Sequence, residues 1–450
     1  MSTQEDHQQE RVLGLGSAAS VVVATMIGSG IFFTTGEIGA SLVTPTNIIL
    51  VWLVCGLLTL CGALTLGELG AMMPQAGGAY VYIKKAFGRH VGCFIGLQYV
   101  LLTTPCGLAV VSLATGHYLA RLLPGMPSWL TAILAMIVIT FIHCMGTGFG
   151  AIINNVGAAL KVLVLGAFIL MGLLLPAPEI EASMITAEAP GVFSAQFAEA
   201  IIIVYFAFVG WAIVTNLGGE IRRPNRNIPL SVLGGVSLVT VIYILMNIVF
   251  LRAVPPEQMV NADGTPTSTL GYMVAERLFS TWVADSLGWL IVLLMLSTIL
   301  SVVLSGARMA YAMAHGGQMP SLFSRLNKRG SPVAALLLQA TISILLIITF
   351  DIRTLLLFVG LLNMFSLALM MGSTLMLRRT AADLDRPFRI PLYPLPPLIS
   401  ILAAIWLAWN TAVTKEGALL FTGIATAVIG ILSFFVVSAR TSADENPQAG

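Results

Sequence analysis

Long apolar runs, separated by short polar, glycine-rich or proline-rich stretches, make up most of the chain. Uncharged stretches such as 12–36, 39–67 and 200–219 match or exceed the roughly 20 apolar residues that cross a bilayer as a helix. Glycine, proline and charged residues between the runs mark where each helix ends. The pattern predicts twelve membrane-spanning helices, at 13–36, 44–73, 91–122, 128–146, 150–175, 195–218, 229–254, 284–314, 333–350, 354–378, 395–413 and 417–438.

Composition supports a membrane protein. Of the 450 residues, 57% are hydrophobic and only 9% are charged, whereas a soluble domain carries about 25% charged residues. So few charges cannot cover a water-facing surface. The composition therefore excludes a soluble enzyme and a nucleic-acid-binding protein, and it predicts an all-α polytopic membrane protein.

The basic residues are divided unevenly between the two sides of the predicted membrane. With the N-terminus inside, 16 Lys and Arg residues fall on the inner side and 5 on the outer side, where most acidic residues also lie. The positive-inside rule then predicts a multi-pass protein of the cell (inner) membrane with cytoplasmic N- and C-termini. Two connecting segments, 78–87 inside and 267–281 outside, are predicted to carry short helices of their own.

Two predicted spans contain glycines at mid-membrane. The first span contains Gly28-Ser29-Gly30, and the sixth, which opens the second set of five helices, contains Gly210. Small residues also serve close helix packing, but interruptions at corresponding positions of two halves are typical of transporters built from inverted repeats. In such sites, free main-chain amides bind a carboxylate and free carbonyls accept an ammonium group. The pair favours an α-amino acid as ligand.

Six motifs, in order along the chain, carry a family resemblance. Together they resemble the amino acid–polyamine–organocation superfamily, and within it the L-type amino acid transporter branch, over nearly all of residues 11–440. The motifs are Ile27–Phe32, Gly67–Gly70 with Pro74 and Gly77–Tyr80, Phe206–Trp211, Glu220–Pro229, Arg308–Pro320 and Arg386–Pro391.

The resemblance implies a 5+5 inverted-repeat fold of the LeuT type with two further helices. Helices 1 and 6 would be unwound at mid-membrane, and the protein would work by alternating access. The implied organisation is a disordered cytoplasmic N-terminus at 1–10, a first repeat at 11–178, a second repeat at 179–380, helices 11 and 12 at 381–440, and a disordered cytoplasmic C-terminus at 441–450.

The resemblance also implies a substrate site. The amides of Ser29 and Gly30 would bind the carboxylate, and the carbonyls of Met26, Phe206 and Val209 would accept the amino group. The Phe206 ring would close over the bound substrate as a gate. The predicted substrate-binding residues are Met26, Ile27, Gly28, Ser29, Gly30, Phe206, Ala207, Val209 and Gly210.

Charged residues at helix ends suggest a gate on the inner side. Glu220 and Arg222 end the sixth span, where an acid–base network could act as the inner gate; a solvated helix end is the alternative. Glu68 ends the second span and is predicted to pair across the inner rim with Lys84, Lys85 or Arg89.

No catalytic or metal-binding cluster is evident in the sequence. His117 and His143 lie near helix ends with no partner at metal-ligand spacing, so both are predicted to be structural. A membrane enzyme would need paired carboxylates or a Ser/His constellation, and a channel would need rings of charge or repeated carbonyl filters. We therefore expect no enzyme activity, no cofactor and no metal. A non-transporting amino acid sensor stays open.

Lys161 stands inside the fifth predicted span. A lysine at a helix centre costs roughly 2.5–3.5 kcal/mol on insertion scales, so it needs partners and usually has a function. The resemblance implies that its ammonium replaces a coupling sodium ion and bridges helix 1 near Gly28 to a hydroxyl of helix 8, Ser297 or Ser301. Sodium-independent transport is the prediction. Proton coupling stays open, because a buried lysine can give up its proton.

Substrate and partners follow from the same residues. No carboxylate lies deep in a span to pair with a cationic side chain, which favours neutral L-amino acids. The branch implies an exchanger, and a proton-coupled symporter on the same fold is the alternative. Segment 121–128 carries no Cys for linkage to a glycoprotein subunit, so we expect no obligatory partner besides the lipid bilayer and the substrate, and a monomer or homodimer.

Overall fold

A computed structural model describes residues 11–28, 30–74, 78–145, 148–176, 189–261, 263–414 and 416–445. These residues are helical, with no β-strand among them; the structure shows only isolated bridges, Leu13 to Ile221 and Val260 to Pro266. The α-helices are α1 (Leu15–Met26), α2 (Thr34–Leu42), α3 (Pro45–Met72), α4 (Gly78–Phe87), α5 (Arg89–Gln98), α6 (Thr104–Leu122), α7 (Ser128–Met145), α8 (Gly148–Leu174), α9 (Ala195–Phe208), α10 (Pro224–Ala253), α11 (Leu270–Leu278), α12 (Thr281–His315), α13 (Val333–Thr349), α14 (Ile352–Thr380), α15 (Leu395–Thr414) and α16 (Glu416–Glu445).

Eight helical segments of the described chain are long and apolar enough to cross a bilayer. They are Leu15–Phe32, α3, the continuous run Arg89–Leu122, α7, α10, α12, α14 and α15. Shorter apolar helices occur at Leu160–Leu174, Ala195–Phe208, Val333–Thr349 and Thr422–Val437. The predicted all-helical polytopic membrane protein is confirmed at this level.

Side-chain caps fix the starts of three helices. Thr44 accepts a hydrogen bond from the Asn47 amide before α3, which has Pro45 in its first turn. Ser194 caps α9 and Asp351 caps α14 in the same way. Each cap satisfies one amide that a helix start leaves without an intrahelical partner.

The third predicted span contains a local irregularity. Between α5 and α6, residues Tyr99–Thr103 form a turn of π-helix. Pro105 follows it and has no amide hydrogen to continue the regular ladder, so a wider turn is accommodated at this point. The two short helices predicted in the connecting segments are present as α4 and α11.

The Glu68 carboxylate joins three parts of the chain. Arg378 at the end of α14 donates to both of its oxygens, at 2.9 and 2.5 Å, and the Ile390 amide donates at 2.9 Å. The Arg386 guanidinium lies 3.7 Å away. The predicted pairing of Glu68 with the basic residues after α3 is therefore wrong: arginines from a distant part of the sequence surround its carboxylate. We call these residues (Glu68, Arg378, Arg386 and Ile390) the carboxylate anchor.

Candidate functional site

The first span breaks where the glycines predict. Helix α1 ends at Met26, Ile27 leaves the helical region, and Gly30–Phe32 forms a single 3₁₀ turn before α2 begins at Thr34. Ser29, predicted to bind the substrate carboxylate, lies outside the described residues. The break leaves main-chain groups of this span without regular helical partners.

The sixth span breaks two residues after Phe206. Helix α9 ends at Phe208, Val209 is extended, and Gly210 has a φ of +117°. That backbone conformation is open to glycine but strained for residues with a side chain. The chain continues as a 3₁₀ helix over Trp211–Glu220, where the sequence predicted an ordinary α-helical half.

The two breaks lie against each other. The Thr25 hydroxyl oxygen lies 3.2 Å from the Gly210 carbonyl oxygen, and it also lies 2.7 and 3.0 Å from the Val21 and Val22 carbonyls of its own helix, which compete for its one hydrogen. A Cβ added to Gly210 would lie 2.7 Å from the Thr25 carbonyl oxygen, and one added to Gly30 would lie 2.9 Å from the Ala207 Cα. Absence of a side chain at both glycines therefore lets the two main chains come into contact.

A tyrosine of α10 joins the two breaks. The Tyr243 hydroxyl lies 2.7 Å from the Met26 carbonyl and 3.0 Å from the Ala207 carbonyl, and Tyr243 is fully buried. A phenol has one hydrogen to donate, so the two carbonyls share it. Sequence reasoning missed this residue. The signal was present, because Tyr243 and Asn247 put two polar groups on one face of an otherwise apolar span.

Removal of that hydroxyl should loosen the contact between the breaks. We expect Tyr243→Phe to slow amino acid exchange roughly tenfold, because a buried carbonyl left without its donor costs about 1–3 kcal/mol. Tyr311→Phe is the matched control. Among the described residues, the Tyr311 hydroxyl is hydrogen-bonded only to His315, one turn further along α12. Initial rates in proteoliposomes measure the effect; equal rates for Tyr243→Phe and wild type would contradict it.

Two of the three predicted ammonium-binding carbonyls, those of Met26 and Phe206, already accept hydrogen bonds. The Met26 carbonyl accepts from the Gly28 amide at 2.7 Å as well as from Tyr243, and the Phe206 carbonyl accepts from the Val209 amide at 3.3 Å. A carbonyl oxygen has two lone pairs. A substrate amino group at Met26 would therefore replace one of these donors, and its role there stays a prediction.

Exposure differs between the two sides of the breaks. Thr25 and Val209 are exposed, and Gly28 and Gly210 are partly exposed. Irregular backbone at membrane depth occurs where it is buried in protein or lines a water-filled cavity. The exposed residues therefore lie on the side of α1 and the 3₁₀ helix, which is where such a cavity would have to open.

The opposite side is closed by packed side chains. The Phe206 ring lies 6.2 Å from the ring of Phe33, which is fully buried. A Cβ on Gly107 of α6 would lie 3.9 Å from the Phe206 ring. Phe206 of α9 thus lies beside Phe33, just before α2, and close to α6, and its gating role stays a prediction.

Lys161 is buried and reaches α12, as predicted, but it bonds a different hydroxyl. Its ammonium donates to Thr298 Oγ1 at 3.0 Å, and Thr298 in turn donates to the Leu294 carbonyl. Neither Ser297 nor Ser301 is that partner: neighbouring helical positions point about 100° apart, and the Ser301 hydroxyl donates to the Ser297 carbonyl. Among the described residues, no hydrogen bond joins Lys161 to Gly28.

Main-chain contacts join the ends of the first and sixth spans. The Leu13 amide donates to the Glu220 carbonyl at 2.9 Å, and the Arg222 amide donates to the Leu13 carbonyl at 2.8 Å. The Arg222 side chain donates to the Arg11 carbonyl. No ion pair joins Glu220 to Arg222 in the part of the chain that the structure describes. Their gating role stays a prediction, now through main-chain contacts.

Comparison with known proteins identifies the architecture. A family model described as amino acid permease matches residues 13–439, nearly the whole chain. The chain belongs to the amino acid permease family. This membership confirms the resemblance to the amino acid–polyamine–organocation superfamily and a transporter rather than an enzyme.

Individual relatives of the permease cover most of its length. The serine/threonine exchanger SteT of Bacillus subtilis (strain 168) is 26% identical over 422 residues, which are 91% of this chain and 93% of that protein. The b(0,+)-type amino acid transporter 1 of Mus musculus is 28% identical, over 88% of this chain and 82% of its own. The large neutral amino acids transporter small subunit 2 of Homo sapiens is 27% identical, over 94% of this chain and 81% of that protein.

Proposed function

We propose that the permease is a secondary active transporter that exchanges neutral L-amino acids by alternating access. The observation that carries the proposal is the contact between two broken helices, which brings main-chain groups of residues 25–28 and 30 close to those of 206–210. Stretches 11–36 and 200–219 contain no carboxylate to bind a cationic side chain. The relatives are named for serine/threonine exchange and for large neutral amino acids, which supports a neutral substrate.

We further propose the finer architecture that the sequence predicts. Twelve spans would form two inverted repeats, 11–178 and 179–380, followed by two helices, with both termini cytoplasmic. The four shorter apolar helices would complete the eight long spans. In that orientation the exposed residues of the breaks, Thr25 and Val209, would lie toward the cytoplasm.

Sodium independence is part of the proposal. The buried ammonium of Lys161 bonds α12 through Thr298 and supplies a fixed positive charge between two helices. A fixed cation removes the need for a bound sodium ion at that place. A proton-coupled symporter on the same fold is the second candidate, because a buried lysine is able to release its proton.

We propose that the permease works without a glycoprotein subunit. The human relative is named as a small subunit, whereas the name of the bacterial exchanger mentions no subunit. The described cysteines are free, and none lies in the segment 121–128.

Reconstitution tests the proposed exchange. We expect labelled alanine or leucine to enter sodium-free vesicles only when unlabelled amino acid is present inside, at equal pH on both sides, because an exchanger returns only with substrate bound. Vesicles without protein are the control. Uptake into empty vesicles that rises with an inward proton gradient would establish the symporter instead, and stronger competition by arginine than by leucine would contradict a neutral substrate.

A further inference from the structure

A chain of three polar side chains lies at the closed side of the breaks. The Ser268 hydroxyl donates to Glu37 Oε1 at 2.7 Å, and His117 Nδ1 lies 2.9 Å from the same hydroxyl oxygen. Glu37 is on α2, Ser268 precedes α11, and His117 is near the end of α6. We call these three residues the outer relay.

The hydrogen-bond directions in the outer relay follow from the donors available. Ser268 has one hydrogen, which goes to the Glu37 carboxylate, so its oxygen accepts the other bond. The donor is then the Nδ1–H of His117. A proton placed on the imidazole can therefore pass along existing hydrogen bonds to Glu37.

The Glu37 carboxylate is buried with few groups nearby that would stabilise its negative charge. It is only 2% exposed, and Ser268 is the one side chain bonded to it among the described residues. Burial of a charged carboxylate away from water without a paired charge is costly, so the neutral form is favoured there.

The charged groups around Glu37 do not remove this cost. Arg353 of α14 directs its guanidinium to Glu199 of α9 at 2.8 Å and to the main-chain carbonyl of Glu37 at 2.6 Å, not to the Glu37 carboxylate. Burial has the largest effect on the pKa of Glu37 and raises it; the positive charge of Arg353 lowers that pKa by more than the like charge of Asp351 raises it, but by less than burial does. Glu257 lies on the 3₁₀ turn Pro256–Gln258, which packs against α2, and its buried carboxylate oxygens have no hydrogen-bond partner among the described residues. His117 is the remaining titratable group that faces the site.

The outer relay holds together the elements that close the site on this side. A Cβ on Gly36 would overlap the Thr267 carbonyl, and one on Gly271 of α11 would press on the Tyr118 hydroxyl and the Phe32 ring. If the site opens on this side, α2 and the segment before α11 separate. Separation would expose Glu37 to water, where its charged form is stable.

We propose that the Glu37 carboxyl is a proton-binding site, loaded from the outer solution through His117 and Ser268, and that the bound proton holds the outer side closed. The inference rests on the proposed transport function and orientation. In the loading step, water delivers a proton to His117 Nε2. The Nδ1 proton then moves to Ser268 Oγ while the Ser268 hydroxyl proton moves to Glu37 Oε1. Neutral imidazole, an intact serine and a carboxylic acid remain, so the atoms and charges balance.

The first experiment measures exchange in proteoliposomes with internal pH fixed and external pH varied. For wild type we expect the rate to change about threefold or more between roughly pH 5.5 and 8, since closing of the outer side is linked to proton uptake. Glu37→Gln, which keeps the shape and the acceptor for Ser268, should give a flat profile. Glu276→Gln is the matched control: Glu276 is exposed on α11 and pairs with Arg121 on the surface, so it should keep the wild-type profile.

The second experiment measures the thermal unfolding temperature of the purified permease against pH and does not depend on transport. A carboxyl that binds its proton more tightly when folded stabilises the protein at low pH and loses that contribution as pH rises. Glu37→Gln should therefore melt above wild type near pH 8, and the difference should shrink as pH falls and disappear only below the pKa of an unfolded glutamate, 4.5. Ser268→Ala should move the wild-type transition to higher pH, because it removes a donor that stabilises the charged form.

The outcomes separate this inference from the proposed function. Suppose that wild type exchanges amino acids and that Glu37→Gln shows the same dependence on external pH as wild type. This result overturns the proton site but does not contradict the transport function. If the melting temperatures of wild type and Glu37→Gln depend on pH in the same way, the proton site is overturned as well. Absence of amino acid exchange in wild type at every pH contradicts the transport function, while the melting curves still decide whether Glu37 binds a proton.

Discussion

Replacement of Lys161 by alanine is expected to slow amino acid exchange by roughly 10- to 100-fold while the protein still inserts and purifies. A hydrogen bond from a charged donor contributes about 1.5–3 kcal/mol, and each 1.4 kcal/mol corresponds to about tenfold in rate. The bond to Thr298 is the described link from Lys161 to α12. The measurement is the initial exchange rate per reconstituted protein molecule.

Controls for this prediction come from an exposed lysine elsewhere and from Thr298, the partner of Lys161. Lys85→Ala removes an exposed lysine and should leave the rate unchanged. Thr298→Val should lower the rate, and Thr298→Ser should restore it, since the hydroxyl is the acceptor. The double variant Lys161→Ala with Thr298→Val should lose less than the sum of the two single effects. Near-normal uptake by well-expressed Lys161→Ala would refute the role of the ammonium.

Substitution of Gly210 by alanine is expected to eliminate nearly all transport and to lower the melting temperature. Its φ of +117° is strained for alanine, and the new Cβ would lie 2.7 Å from the Thr25 carbonyl oxygen. Relief of the overlap would move the two breaks apart, and with them the main-chain groups proposed to bind substrate. Exchange rate and melting temperature are measured together.

Gly234→Ala is the control for that substitution. Gly234 lies within α10, and a Cβ there would meet no atom within 4 Å. Alanine favours a helix interior over glycine by about 1 kcal/mol, so this variant should be at least as stable as wild type. Gly210→Ala with wild-type exchange would show that the close contact of the breaks is dispensable.

The positions of the helices were predictable because the local succession of apolar and polar residues determines them directly. The bounds of α7 and α13 differ from the predicted spans by one residue at one end, and those of α3 by one residue at each end, since proline, glycine and charge end apolar runs. Glycines likewise located both breaks. The 3₁₀ form of Trp211–Glu220 was not predictable, because its cause is contact with other helices rather than local propensity.

Side-chain partners across helices were less predictable. The sequence placed Lys161 near α12 but could not distinguish Thr298 from Ser297, because the rotation of one helix against another depends on packing. The partners of Glu68 lie more than 300 positions along the chain, and no local pattern indicates that pairing. His117 was predicted to be structural; its contact with Ser268, on which the proposed relay depends, forms only because the fold brings α6 to that segment.

The carboxylate anchor restricts how α3 and α14 can move relative to each other. Arg378 donates to both carboxylate oxygens of Glu68, and the Ile390 amide donates to one of them. The Glu68 end of α3 and the Arg378 end of α14 therefore cannot slide past one another without breaking several charged contacts. Relative motion is then a pivot about this point. Pro45 lies 23 residues away along α3, roughly 35 Å, so a tilt of about 10° displaces that end by about 6 Å while the pivot stays in place. A small tilt of α3 about the carboxylate anchor would therefore produce its largest displacement at the end of α3 that lies on the same side as the outer relay.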